Sequence, residues 1–437
     1  MGETLTLERL KQAVSSSAAA FRCVTEYQPA GGPGDKVFPP TYEGGKYATE
    51  KRVLKDGKVV DCVLLDSVQS QANRMESALL DAWEAGRFKP HSLPMVQVKF
   101  EFEVRGVKKA IRITSLDAPH RVADALFRDS LREEDGRKVL FRQSSKGRVL
   151  DSADLRNATG LFGLCPTALL FGLWDSTGPR RGLGAKFQRA IVSEIVGMNA
   201  QLGKTTGGKV DHLNILKSAG PLFQRQESSD SLPNWTLDES LAREKDSAKL
   251  KIGKEGKPSE ANLGGVTPDY AYAKDKRNNI IRESDGTPRI KGGFTISEAI
   301  QTTVISLTGL RRLRFPLKDK KNDELVKANQ TAHTVLAALG LCAATLAREE
   351  GSDLRSRCQL VPAGPFVWNL LSGPDKETPF ELSGENAVQL LNDAVAEAKM
   401  ASLPWEQNVI ELTPSADLLA LVRRSHEIVA EGEEGDE

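Results

Sequence analysis

The sequence predicts an α+β chain with a long insertion, on three observations. Strand-like and helix-like stretches alternate over the first 200 residues, and a strand returns near Thr302 after a long excursion. Between Gly203 and Gly293 apolar periodicity gives way to Gly, Lys, Ser, Asp and Asn. A stretch of that length without periodicity marks a functional excursion rather than core.

Taken in order, Leu5–Ser15 has the spacing of a short amphipathic helix and Ala18–Tyr27 that of a strand. A Gly/Pro loop, Gly31–Pro40, leads to the basic-aromatic run Tyr42–Arg52, which contains Lys46. Val59–Leu65 is a strand that runs straight into a helix. On that helix Ser70, Asn73, Arg74 and Ser77 share one face, while Met75, Leu79, Ala82 and Trp83 form the opposite, buried stripe. Met95–Ile113 alternates around Arg105-Gly106, which predicts a hairpin. Further helices are expected at His120–Arg132, Asn322–Glu349, Asn386–Ala401 and Ala416–Val429. Further strands are expected at Ala168–Trp174, Arg189–Val196, Thr302–Arg314 and Cys358–Val361. The expected divisions are 1–200, an insertion over 201–295, a return over 296–410, and a last helix with an acidic tail over 411–437.

Net charge is +1, yet the charge is segregated. Five acids crowd Glu431–Glu437, leaving 60 basic against 54 acidic residues elsewhere. Arg180–Arg225 holds eight Lys/Arg against Glu194 and Asp211, and Arg311–Lys321 holds six against Asp319. Basic patches of this kind bind polyanions despite a neutral total. Five scattered cysteines without a CxxC argue against a disulfide framework or a zinc ribbon, and for a reducing cytoplasm. The first residues lack a signal-peptide pattern, and the longest apolar run, Val335–Ala347, is too short to span a bilayer, so no membrane is expected.

The helix start after Asp66 is rich in amide, hydroxyl and guanidinium groups: Gln69, Ser70, Gln71, Asn73 and Arg74. Unpaired N–H groups and the positive dipole end lie there too, which suits phosphates; a capped, solvated face is the plainer alternative. GMNAQLGKT (Gly197–Thr205) fails as a phosphate loop because five residues, not four, separate its glycines. RRGLGAK (Arg180–Lys186) lacks a third glycine before a helix. His120 and Asp124 lie four apart, as do Asp124 and Arg128; a helix cap with salt bridges explains them better than acid–base chemistry. No histidine spacing supports a metal site, and no cofactor is expected. In the expected strand, Arg312 and Arg314 share one face.

Six segments in order, VLLDSVQSQANRMESAL, APHRVADALFRDS, PTALLFGLWDST, GAKFQRAIVSEIVG, ISLTGLRRLRFP and LRSRCQLVPAG, resemble the RAMP-type backbone subunit of type I-G (formerly I-U) CRISPR surveillance complexes. SVQSQANR is similar to the SSQ-x-x-KR helix of other Cascade backbone proteins, and ALLFGLW to their LFG strand. GKVDHLNI departs from the family pattern, so no contact is carried onto Asp211. The resemblance implies a ferredoxin-like (RRM-related) palm with finger and thumb insertions; we expect the thumb within Lys245–Gly293, where Asp285-Gly286 between the β-compatible flanks of Ile280–Ile290 predicts a hairpin. The resemblance also implies a non-catalytic subunit that polymerises head to tail along a guide RNA and presents it to target DNA, beside other Cascade subunits. RNA contacts are then expected from Lys46, Gln69, Ser70, Gln71, Asn73, Arg74, His120, Arg121, Lys186, Arg189, Arg312 and Arg314. Two other readings stay open: a metal-dependent ribonuclease of the same superfamily, using Asp124, Asp129 or Asp211, and a polymer without nucleic acid.

Overall fold

The computed structural model describes residues 3–176, 184–227, 229, 231–275, 279–318, 320–373 and 376–431. The start of RRGLGAK, Arg180–Leu183, and the acidic tail beyond Glu431 lie outside the described residues. The chain is mixed α+β and divides into two units.

The first unit comprises Met1–Asp35, Thr49–Asn199 and Ile296–Glu437. Its principal elements are α1 (Leu7–Ser15), β1 (Ala20–Pro29), β2 (Val59–Asp66), α2 (Val68–Glu84), β3 (Ile191–Met198), β4 (Glu298–Ser306), α3 (Asp323–Glu349), β5 (Trp368–Gly373), β6 (Lys376–Glu381) and α4 (Gly384–Met400). A wide sheet runs in the order Glu3–Thr4, β6, β5, β1, β4, β3, β2, Thr49–Val53, and Gln359–Pro362 also pairs with β1. All its central pairs are antiparallel. A simple ferredoxin-like βαββαβ sheet places two parallel strands side by side at its centre, so this order is a more elaborate one than the resemblance implied. A second sheet runs in the order Arg137–Leu140, Ser130–Glu134, Ile410–Pro414, Val96–Val104, Val107–Thr114. Its last two strands form the expected hairpin, with Arg105 and Gly106 both at positive φ, as a tight turn requires.

Alternation in β1 sends Phe21, Cys23, Thr25 and Tyr27 inward and leaves Val24 and Glu26 exposed. On that face Tyr27 meets Arg348 of α3, whose guanidinium lies over its ring, and α3 packs on β4, α1, α2 and α4. Small residues such as Ala332, Ala337, Gly340 and Ala344 let those neighbours approach closely. By length and composition α3 is the one described helix able to cross a bilayer, and 78% of its apolar window is buried inside the protein.

Between α2 and the sheet lies a connected polar layer. Asp66, fully buried, accepts from Gln71 Nε2 at 2.7 Å, Arg74 Nε at 3.0 Å and Arg355 Nη2 at 3.2 Å. Gln301 Nε2 donates to Gln71 Oε1 at 2.7 Å and to Ser193 Oγ at 3.2 Å, and Tyr27 donates to Gln301 at 2.8 Å. Nearly every buried group there has a partner, which is the condition for tolerating polar atoms in a core.

Three expected elements are corrected. Ala168–Trp174 is not one strand: Pro166–Phe171 is helical, with Pro166 in the first turn where its missing N–H costs nothing. Gly172 ends that helix, and only Leu173–Trp174 pairs as a strand, with Lys186–Phe187. His120–Arg132 is not one helix but a turn, a short helix at Ala125–Arg128 and the strand Ser130–Glu134. Asp124 stops any continuous helix, because its carboxylate caps Leu126 N at 3.0 Å.

The third correction concerns Thr302–Arg314. The strand stops at Ser306, whose hydroxyl caps a helical turn, Leu307–Leu310, by accepting from Gly309 N at 3.0 Å. Residues past that turn are held as coil from α3: Asn329 Oδ1 accepts from Phe315 N at 2.8 Å, and His333 Nε2–H donates to Leu313 O at 3.0 Å. Burial lowers the His333 pKa from 6.5 to about 4. Between those values the unfolded chain binds a proton that the folded one refuses, so stability falls as pH falls through that window. The expected loss is about 3 kcal/mol between pH 6.5 and pH 4. Urea denaturation of wild type and His333→Gln at both pH values checks this: the variant keeps an N–H for Leu313 and should lack that component of the acid loss. Parallel pH profiles would refute it.

The second unit comprises Lys36–Ala48 and Ala200–Thr295. Gln201–Leu202, Phe294–Thr295 and Lys36–Val37 form a small sheet, and Tyr47 stands edge-on to Phe294 at 5.1 Å. Thr206–Lys209 pairs with Val266–Tyr270. The chain reverses at Asp285-Gly286: Gly286 has φ +84°, Asp285 Oδ1 accepts from Thr287 N at 2.9 Å, and Arg282 bridges to Pro288. Arg289 fixes that arm by donating to Gly44 O at 2.9 Å.

Candidate nucleic-acid interface

The polar start of α2, the turn at His120, the Leu173–Trp174/Lys186–Phe187 ribbon and the segment after β4 border one cavity of about 790 Å³ in the first unit. Each contributes for a local reason. Ser67 caps α2 by accepting from Ser70 N at 3.2 Å, which presents Val68 to the cavity. Gly172, at φ +90°, lets the chain pass Arg189: a Cβ there would lie 3.1 Å from Arg189 Cγ and 3.2 Å from Phe187 O. The capped turn after Ser306 delivers Gly309, Arg312 and Leu313.

Five of the residues singled out from sequence meet here: His120, Arg121, Lys186, Arg189 and Arg312. They are not equivalent. Arg121, at φ +51°, is buried, with Nε and Nη2 donating to the two oxygens of Glu76 at 2.6 Å each. Its Nη1 donates to Gly172 O at 3.0 Å, and its guanidinium lies over the Phe171 ring. Arg121 therefore braces the wall. Burial lifts the Glu76 carboxyl to about 7, while the bidentate guanidinium pulls it the other way.

Lys186, Arg189 and Arg312 are exposed and make no hydrogen bond or ion pair among the described residues. His120 is exposed as well, and its bonds are backbone ones: its N–H donates to Asp124 Oδ2 at 3.2 Å and its carbonyl accepts from Ala123 N at 3.1 Å. No carboxylate is among the residues described as lining the cavity. The neighbouring acids are held elsewhere: Asp175 pairs with Arg142 at 2.6 Å and Asp129 with Arg128 at 2.6 Å. Lys186 and Arg312 have no carboxylate partner among the described residues, and Arg189 meets one only through its charge, which acts on buried Glu76 without a hydrogen bond; such a set suits a ligand that brings negative charge.

The other expected contacts lie apart from that lining. Gln69 and Asn73 are exposed on α2 and Ser70 is half-buried. Gln71 is buried and Arg74 half-buried, and both are held in the Asp66 layer, with Arg74 Nη2 also donating to Leu354 O at 2.7 Å. Arg314 is exposed but folds its Nη1 onto Leu313 O at 3.0 Å. The expected Arg312–Arg314 row is absent because no strand exists there. Lys46 belongs to the second unit. Of the acids weighed for catalysis, Asp124 caps a helix and Asp211 accepts from Leu213 N at 3.1 Å. No group of three His, Cys, Asp or Glu residues suited to a metal occurs among the described residues.

Two residues were missed. Glu76 sits beside Met75 and Leu79 in the buried stripe of α2, and a lone charge in an apolar stripe is a legible sign of a buried pair. Trp174, 60% exposed, follows the LFG run with Lys186 Nζ 5.6 Å from its ring centroid; only the pairing across the ribbon reveals it.

Residues 21–202 match the family model described as CRISPR-associated protein GSU0053 (Cas_GSU0053). The Cas_GSU0053 match takes in β1, β2, α2 and β3, and with them every cavity residue except Gly309, Arg312 and Leu313. No curated protein matches the chain.

Proposed function

We propose that this chain is a non-catalytic backbone subunit of a type I-G CRISPR surveillance complex, binding guide RNA and repeating head to tail along it. The observation that carries the reading is the cavity bordered by Lys186, Arg189 and Arg312, with no carboxylate among its described lining residues, lying mostly within the stretch that matches the CRISPR-associated family model. In such a complex base pairing reads the sequence, so the protein needs phosphate and sugar contacts. Lys186, Arg189 and Arg312 have the chemistry for phosphates, and His120, Gln69 and Asn73 can add hydrogen bonds to sugars. In this reading the wide sheet with its helices serves as the palm, and the arm turning at Asp285-Gly286 serves as the thumb. Target DNA and other Cascade subunits are the remaining partners.

The test is purification with guide RNA co-expressed, followed by binding of labelled RNA across a salt series. The RNA is expected to co-purify uncut, and log affinity is expected to fall linearly with log salt. Salt-insensitive binding would refute the reading. So would specific cleavage of bound RNA with magnesium or manganese, which would favour a ribonuclease.

A further inference from the structure

We infer that Trp174 is a stacking platform for one unpaired base of the bound strand. This rests on the RNA-binding reading above and adds a contact to the base that phosphate binding does not require. The cavity keeps large apolar side chains in water beside its cations: Trp174 is 60% exposed, Leu155 45% and Val192 41%. A site for phosphate alone has no use for them, and a site for a neutral apolar ligand has no use for three cations. A nucleotide joins a flat apolar face to an anion, which matches both halves of the lining.

The indole is also held in place. Trp174 pairs with Lys186 across the two-stranded ribbon, and the Lys186 ammonium stands over its ring. The next residue, Asp175, is buried against Arg142 at 2.6 Å, and its N–H donates to Ala185 O at 2.9 Å. Trp368 and Trp405, by contrast, are buried in the core. An aromatic fixed by its neighbours loses little freedom when a base stacks on it.

Two oligomers of equal length separate this contact from charge: an adenine oligoribonucleotide and an abasic one. Wild type is expected to bind the adenine oligomer more tightly. Trp174→Ala should weaken that binding about 5- to 150-fold, the range for one lost base–aromatic stack, while leaving the abasic oligomer unaffected. Trp174→Phe should keep most of the preference and lose most of the tryptophan fluorescence quenching. A Trp174→Ala variant that still prefers the adenine oligomer would overturn the platform with RNA binding intact. If wild type binds neither oligomer, the RNA reading falls with it. Trp174-dependent binding to anionic vesicles without binding to either oligomer would overturn both in favour of a lipid.

Discussion

Replacing Glu76 by alanine is expected to cost about 3–5 kcal/mol of folding stability, because it breaks the buried ion pair behind the cavity wall. The carboxylate is 2% exposed, and Arg121 beside it is 9% exposed. Without Glu76 the guanidinium is buried with Gly172 O as its remaining hydrogen-bond acceptor, and arginine does not shed its proton to escape. Arg121→Met is expected to cost less. It leaves a buried carboxyl, already lifted by burial, which can take up a proton and become neutral. The sign then follows. In that variant the folded carboxyl holds its proton to higher pH than the unfolded one, so stability is greatest in acid and declines as pH rises through neutrality. Urea denaturation of both variants at pH 5.5 and pH 8 would measure this. Equal losses for the two variants at both pH values would show that the pair contributes through packing alone.

Much of the scaffold was legible because its signals are local. Helical spacing gave α3 and α4 to within two residues and the buried stripe of α2, and Arg105-Gly106 marked its hairpin. Two of the three failures occurred where a capping side chain outcompeted a run of apolar or β-branched residues; the third, Ala168–Trp174, is a short helix opened by Pro166 and ended at Gly172. Ser306 and Asp124 each redirected the chain through one hydrogen bond, and neither effect has a periodicity to read. The site divided in the same way. Residue type identified the arginines, but type does not say which of them is consumed internally. Arg74 and Arg121 lie near acids that only tertiary structure brings to them, Asp66 from the preceding strand end and Glu76 from 45 residues away. Lys186 and Arg312 have no such acid among the described residues, and Arg189 reaches Glu76 through its charge alone. They became a site because a glycine, a capped turn and a short ribbon bring them to one cavity.

Those three cations carry the other large effect. The triple variant Lys186→Ala, Arg189→Ala, Arg312→Ala is expected to bind guide RNA at least about 100-fold more weakly at low salt, since each charge-assisted contact contributes roughly 1.5–3 kcal/mol and losses overlap. Its fold should be retained, because none of the three side chains has a hydrogen bond or ion pair to lose among the described residues. The salt dependence is the sharper readout. Each phosphate neutralised on a single strand contributes about 0.7 to the slope of log affinity against log salt, so losing three should lower its magnitude by about 2. A variant that merely distorted the wall would lose affinity with an unchanged slope, because the surviving complexes would still make every phosphate contact. Arg121→Met supplies that comparison, as it disturbs the same wall through an arginine whose N–H groups are spent on Glu76 and Gly172. If the triple variant keeps the wild-type slope while the Arg121 variant lowers it, the roles of these arginines are reversed, and the phosphate contacts belong to the brace.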